Sequence, residues 1–324
     1  MASVAASSPV SQLEQHRSAL TGHCYRMLGS VVDAEDAVQE TLLRAWKAID
    51  GFQGQASVKT WLYRIATNVC LDTLESSKRM RVRPTDAYDG PVAVTDGLAL
   101  GTQPREHWVE PIPDVLALPV AEEADPAERA ILKESIRLAF VAALQYLPPR
   151  QRAVLLLTQV LAWSAAETAE ALGMSVAAVN SAVQRARATL DARNPAVVPR
   201  TLTKEQETLL ARYVEAFERY DIDALSKLLH EEATMSMPPY ELWLRGRESV
   251  AQWMLTYGIG CRGSRLLPVQ SANGLPAFVQ YRQGGAQPWA VVLLEVDQDR
   301  VTSLHYFLDT ETLFGKFGMP AQLV

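Results

Sequence analysis

Cysteine is scarce in this chain and nowhere paired. Cys24, Cys70 and Cys261 are odd in number, far apart and outside any Cys-x-x-Cys motif, which excludes a disulfide framework and a thiolate zinc site. They read as reduced, buried thiols, and no metal or cofactor is expected. Long apolar runs are missing too, since no stretch approaches the roughly 20 residues that span a bilayer. Met1 to Val10 lacks the basic start and apolar centre of a secretory leader, so residues 1–10 read as a loose tail and the chain is expected in the cytoplasm.

Net positive charge is also lacking. The sum is −6 over 324 residues, an awkward balance for a nucleic-acid binder, which needs local positive charge to meet phosphate. The distribution resolves this. Residues 84–126 hold nine acidic residues against Arg105 alone, and seven of the 18 prolines, with no sustained period. This segment reads as an acidic linker, and the rest of the chain is slightly positive. A length of 324 residues with 48% hydrophobic and 21% charged residues suits two or three globular domains.

Residues 11–83 are helical by pattern. Val31, Ala34, Val38, Leu42 and Ala45 follow three- and four-residue spacing, and Trp61, Ile65 and Val69 continue it after a break at 51–57. Residues 127–195 are again helical, with stops at Pro148–Pro149 and Gly173. From residue 202 to 324 an amphipathic start (Leu209, Tyr213, Phe217) and a short helix near Ala224 to Leu229 give way to the strand-like runs Ala290 to Val296 and Val301 to Leu308, the pattern of an α+β domain.

In the first block, Asp33, Asp36 and Glu40 fall on one helix face, while Val38, Leu42 and Trp46 turn towards another. One face can pack and the acidic one can meet a basic partner. The next helix carries Trp61, Arg64 and Asn68, side chains that stack on or hydrogen-bond to unpaired bases, and Lys78, Arg79, Arg81 and Arg83 follow as a phosphate-contacting tail. The order of an acidic helix, a Gly-containing loop and Thr60-Trp-Leu-Tyr-Arg-Ile-Ala-Thr-Asn68 closely resembles region two of the extracytoplasmic-function sigma factors. The resemblance implies that Asp33, Asp36 and Glu40 face the β′ clamp helices of RNA polymerase core. It also implies that Gln53, Gln55 and Ser57 line a pocket for a flipped −10 base and that Trp61 and Asn68 contact the strand.

In the second block, Ala169, Gly173 and Ser175 have the spacing of a helix-turn-helix: a small residue for close approach, a turn glycine and a cap. Val179, Val183 and Ala186 are expected inside. Ala177, Ala178, Asn180, Ser181, Gln184, Arg185 and Arg187 are left for the major groove and its phosphates. The unit resembles sigma region four, which reads the −35 element while touching the polymerase β flap. Many family members carry basic residues where Asn180 and Ala182 stand here.

The third block resembles the cone-shaped SnoaL-like domains that extend some of these sigma factors, through Met237-Pro-Pro-Tyr-Glu-Leu-Trp243, Arg245-Gly-Arg247 and Phe307-Leu-Asp309. Met235, Met237, Trp243, Trp253, Tyr257, Trp289 and His305 are expected around a cavity for a small-molecule ligand, and a regulatory protein is the other expected partner there. His230, Glu231, Glu232, His305 and Asp309 could supply acid or base, but no convergent pair is visible, so no enzymatic activity is expected. The whole reads as two all-α helical domains plus an α+β cone-shaped SnoaL/NTF2-like domain. Its expected function is that of an alternative sigma factor binding polymerase core and promoter DNA, modulated by its third domain. A helix-turn-helix regulator with a ligand-sensing domain, or a SnoaL-type enzyme fused to a DNA-binding module, are the rival readings.

Overall fold

The computed structural model describes residues 13–52, 54, 56–77, 80–119, 125–193 and 202–323. The chain divides into two units, one of Met1–Arg81 with Asp114–Pro195 and the other of Val82–Pro113 with Ala196–Val324.

The first unit begins with α1 (Arg17–Leu28), which stops at Gly29 in the left-handed conformation. Ser30 accepts a hydrogen bond from the amide of Asp33 and so caps α2 (Val31–Ala48). After the loop comes α3 (Val58–Ser77), and Leu20, Val38, Leu62 and Ala66 bury the seam among the three helices. The second half opens with α4 (Pro126–Ser135), whose cap Asp125 accepts from Ala127 and Glu128. It continues through α5 (Leu138–Gln145) and α6 (Pro149–Leu155), the latter running into a π turn at Leu156–Val160. The helix-turn-helix is α7 (Ala165–Leu172) and α8 (Val176–Arg193). A reciprocal capping box between Ser164 and Glu167 starts α7, and Gly173 at φ 61° ends it.

Two buried arginines fasten these halves together. Arg26 in α1 donates to Ser135 Oγ at 2.7 Å and to the Leu132 carbonyl at 3.0 Å. Arg152 in α6 donates to the carbonyls of Met27, Gln145 and Leu147 and to Gln145 Oε1. A charge taken out of water needs such acceptors, and Arg152 finds them through both terminal nitrogens while its Nε has none.

The second unit contains α9 (Lys204–Glu218), capped by Thr203 and Gln206, and α10 (Ile222–Leu228). Its sheet comprises β1 (Leu229–Ser236), β2 (Trp243–Arg245), β3 (Arg265–Ala272), β4 (Leu275–Arg282), β5 (Gln287–Asp297) and β6 (Arg300–Phe307), in the order β2-β1-β6-β5-β4-β3. Only the β1–β6 pairing is parallel. The helices α11 (Arg247–Leu255) and α12 (Thr310–Lys316) complete it.

Residues 82–113, of which 84–113 were read from sequence as part of a linker over 84–126, are docked on this α+β unit. Val92 donates its amide to Trp243, Gln103 donates to Pro239, and Asn273 and Ile112 exchange two hydrogen bonds. Val92, Val94, Leu98 and Leu100 pack against the core, and Trp108, Val109 and Ile112 are buried. The segment shows no period of its own because its apolar residues are spaced to fit a surface supplied by another part of the chain. Local pairing of Arg83 with Asp86 and of Arg105 with Glu110 offsets part of its acidity.

Candidate promoter and polymerase interface

On α2, the acidic residues are not equivalent. Asp33 is paired with Arg81 at 2.7 Å, and Glu40 with Arg44 at 2.6 Å. Asp36 is exposed and has no basic partner among the described residues. Val38 and Leu42 pack inward as expected from their spacing, but Trp46 does not, being 55% exposed next to the exposed Leu43. Asp36, Gln39, Leu43 and Trp46 follow one another by three, four and three residues, and so form one outward stripe.

On α3, Ser57 accepts from the Thr60 amide at 3.0 Å and acts as a helix cap. Trp61, Arg64 and Asn68 share one face, and the Trp61 ring rests on Phe52 with centroids 4.9 Å apart. Gln53, Gln55 and Arg79 lie outside the described residues. Trp61 and Arg64, with Ser57 and Thr60, line a cleft of about 840 Å³ that Trp163, Glu167 and Glu170, at and just before the helix-turn-helix, also line. Glu167 is engaged by Ser164, whose hydroxyl and amide hold its carboxyl below the usual range. Glu170 reaches across instead, to 3.5 Å from Arg64, and Lys59 meets Glu128 at 3.0 Å. These cross-pairs carry no sequence signal, because the partners are about 70 and 100 positions apart.

On α8, Val179, Ala182, Ala186 and Leu190 are buried. Val183 and Ala178 are only half-buried, so the inner face is rotated slightly from the one expected. Ala177, Asn180, Ser181, Gln184, Arg185 and Arg187 are exposed on the outer side, and Arg187 donates to Gln159. The buried position of Ala182 removes it from the groove-facing set.

In the α+β unit, a cavity of about 300 Å³ is lined by Met235, Met237, Trp253, Tyr257 and Trp289 among others. Trp243 and His305 do not line it. Strand alternation places Met235 and Met237 on the cavity side of Ser236, and Tyr306 on the cavity side of His305. His305 instead joins a buried chain on the opposite face, Nδ1 lying 3.2 Å from Ser236 Oγ and Nε2 3.2 Å from Glu295 Oε1. Burial raises the Glu295 carboxyl, but His305, Arg83 and Ser303 more than offset this and leave it below its ordinary value. Leu98, Leu100 and Arg282 belong to the cavity wall and were missed from sequence, Arg282 because a lone arginine at a strand end resembles any exposed one. Among the described residues no group of three His, Cys, Asp or Glu is placed to hold a metal, and no helix is long and apolar enough to cross a membrane.

Residues 13–80 match Sigma-70 region 2, and residues 137–190 match Sigma-70, region 4. The chain is 47% identical over 319 residues to the ECF RNA polymerase sigma factor SigG of Mycobacterium tuberculosis, covering 96% of this chain and 83% of that one. It is 29% identical over 289 residues to SigJ of the same species, covering 84% of each. The crystal structure of SigJ superposes with a TM-score of 0.59 over 96% of this chain and 98% of its own, at 22% identity, which supports the fold as a whole. Two helical sigma domains followed by a SnoaL-like α+β domain, with an identity of 47% over nearly the full length, establish that the chain belongs to the extracytoplasmic-function (ECF) family of RNA polymerase sigma factors, alternative subunits that direct polymerase to promoters.

Proposed function

We propose that the stripe Asp36, Gln39, Leu43 and Trp46 docks on the β′ clamp helices of core, that region four also touches the β flap, and that a melted −10 strand lies along Ser57, Trp61, Arg64 and Asn68. Asn180, Ser181, Gln184, Arg185 and Arg187 then meet the −35 duplex, the first three at base edges and the arginines at phosphates. The observation that carries this reading is the cleft on α3, where the aromatic Trp61 and the cationic Arg64 share one wall with Ser57 and Thr60, the stacking and charged groups that single-stranded binding uses.

The cleft also implies that the state described is closed. Elements named −10 and −35 lie about 25 base pairs apart, or about 85 Å at about 3.4 Å per pair, yet Trp61 of region two and Trp163 of region four line one cleft. Region four must therefore swing away before both elements are read. Residues 82–113 join the two regions, and as a free tether they would reach about 110 Å. Docked, they are held by hydrogen bonds of Val92 to Trp243, Gln103 to Pro239 and Ile112 to Asn273, so undocking is the step through which the C-terminal unit modulates the sigma factor.

Run-off transcription with purified core, combined with energy transfer between fluorophores on regions two and four, tests this. Binding of core should lengthen the distance and support initiation, and Asp36→Arg should abolish both with circular dichroism unchanged. Initiation at an unchanged short distance would eliminate the closed-state reading, while undiminished core affinity in Asp36→Arg would remove the stripe.

A further inference from the structure

The cavity of the α+β unit has an asymmetric chemistry. Its described lining is apolar and aromatic, and Arg282 is the one charged side chain on it. Arg282 Nε donates to the Gly260 carbonyl at 2.6 Å, and its guanidinium carbon stands 4.0 Å from the centroid of the Trp289 ring. No carboxylate among the described residues pairs with it. A Cβ at residue 260 would fall 1.6 Å from Arg282 Nη2, so glycine is what lets the guanidinium lie there. Also on the wall, Trp253 and Tyr257 are stacked with centroids 5.1 Å apart, and Tyr306 contributes a hydroxyl shared with Tyr213 at 3.1 Å.

We propose that this cavity binds a compact aromatic monoanion, its ring against Trp253 and Tyr257 and its carboxylate or similar head on Arg282, with residues 92–103 as a strap closing one side. The volume of about 300 Å³ lies at the small end of the roughly 300–1,000 Å³ found for ligand sites, which limits the guest to one or two rings. Apolar walls with one correctly placed charged donor are what such a guest requires, because a guanidinium orients a planar acid through two parallel hydrogen bonds.

The strap is tied to the same aromatic wall. Tyr257 Oη accepts the amide of Leu98 at 2.6 Å and donates to the Thr95 carbonyl at 2.7 Å, while Gln252 holds the Val94 carbonyl at 3.0 Å. Leu98 and Leu100 close the wall from the strap side. A guest that fixes the Tyr257 ring therefore also fixes the strap, which belongs to the segment that follows region two. Binding is a property of this unit alone and is independent of the promoter reading.

The test uses the full chain and three probes of one shape: 1-naphthoate, 1-naphthalenemethanol and 1-naphthylmethylammonium, followed by calorimetry. A guest of this size should bind with Kd on the order of 1 mM or tighter. The carboxylate should bind about tenfold more tightly than the alcohol, since a charge-assisted hydrogen bond separates them, and the cation should not bind. Arg282→Gln should abolish that preference, and Leu100→Trp should block all three by filling the cavity from the strap. Hydrogen exchange at the amides of 92–103 should slow with naphthoate and not with the cation. Equal affinity for the three probes, absence of binding, or naphthoate binding indifferent to both substitutions would overturn the proposal.

Discussion

Arg152, in the first turn of α6, donates a hydrogen bond to the main-chain carbonyl of Met27 at the end of α1, so a side chain of region four is built into the core of region two. Removing it would strand buried carbonyls, each at about 1–3 kcal/mol. Arg152→Ala should therefore lower stability by at least about 3 kcal/mol, read as a fall in urea midpoint, and should enlarge the hydrodynamic radius below the transition. Arg152→Lys should rescue little, because an ammonium group cannot span the same four acceptors. A variant as compact as the parent would show that the two regions are held by apolar packing instead.

The exposed cross-pairs should behave differently. Glu128 and Glu170 face Lys59 and Arg64, and all four side chains are at least two-fifths exposed. Each pair contributes only about 0–1 kcal/mol. Glu128→Lys with Glu170→Lys should leave the urea midpoint nearly unchanged but raise affinity for single-stranded −10 DNA several-fold, because two acids beside the cleft become bases. The gain should shrink with added salt. A loss of affinity would place the strand elsewhere than on α3.

On the recognition helix, Arg185→Ala should weaken binding to promoters of different −35 sequence about equally. Gln184→Ala should instead alter the ranking among them, by roughly 1–3 kcal/mol at one base position. Affinities for a set of −35 variants separate the two patterns, and interchange of them would mean that α8 enters the groove rotated by about one residue.

Glu295 gives a pH dependence. Its carboxyl is held below the ordinary value in the folded chain, so its contribution is present above the unfolded pKa of about 4.3 and is lost as pH falls through the folded value. His305→Gln removes one of the groups that lower it. Acid unfolding of the α+β unit should then begin at higher pH than in the parent, while stability at pH 7 falls. An unchanged acid limb in stability measured against pH would show that Arg83 and Ser303 suffice.

Much of this is legible in the sequence. The cap at Ser175, the stop at Pro148–Pro149 and the turn at Gly173 are set by local chemistry, so spacing located the helix-turn-helix, whereas the caps at Ser30 and Ser164 were not read. β5 was visible because Ala290 to Leu294 form a continuous apolar run, and β6 because it follows across a short polar turn, whereas β1 and β3 mix exposed and buried positions irregularly and β2 has only three residues. The orientation of Trp46 and the exclusion of Trp243 and His305 from the cavity were not legible, since hydrophobic identity does not say which face a partner covers. The docking of residues 82–113 was missed for the same reason: its partner surface is assembled from residues more than 100 positions away.

That docking has a consequence for the order in which the molecule is made. The ribosome releases residues 82–113 well before the strands that receive them, and at about 5–20 residues per second the wait is on the order of 10 s. During that interval Val92, Val94, Leu98 and Leu100 have no surface to cover them, while the helices of region two can already fold. The nascent chain therefore passes through a stage in which region two is complete and the surface that receives residues 82–113 does not yet exist, and the same bare segment is what any chain ending near residue 195 would retain permanently.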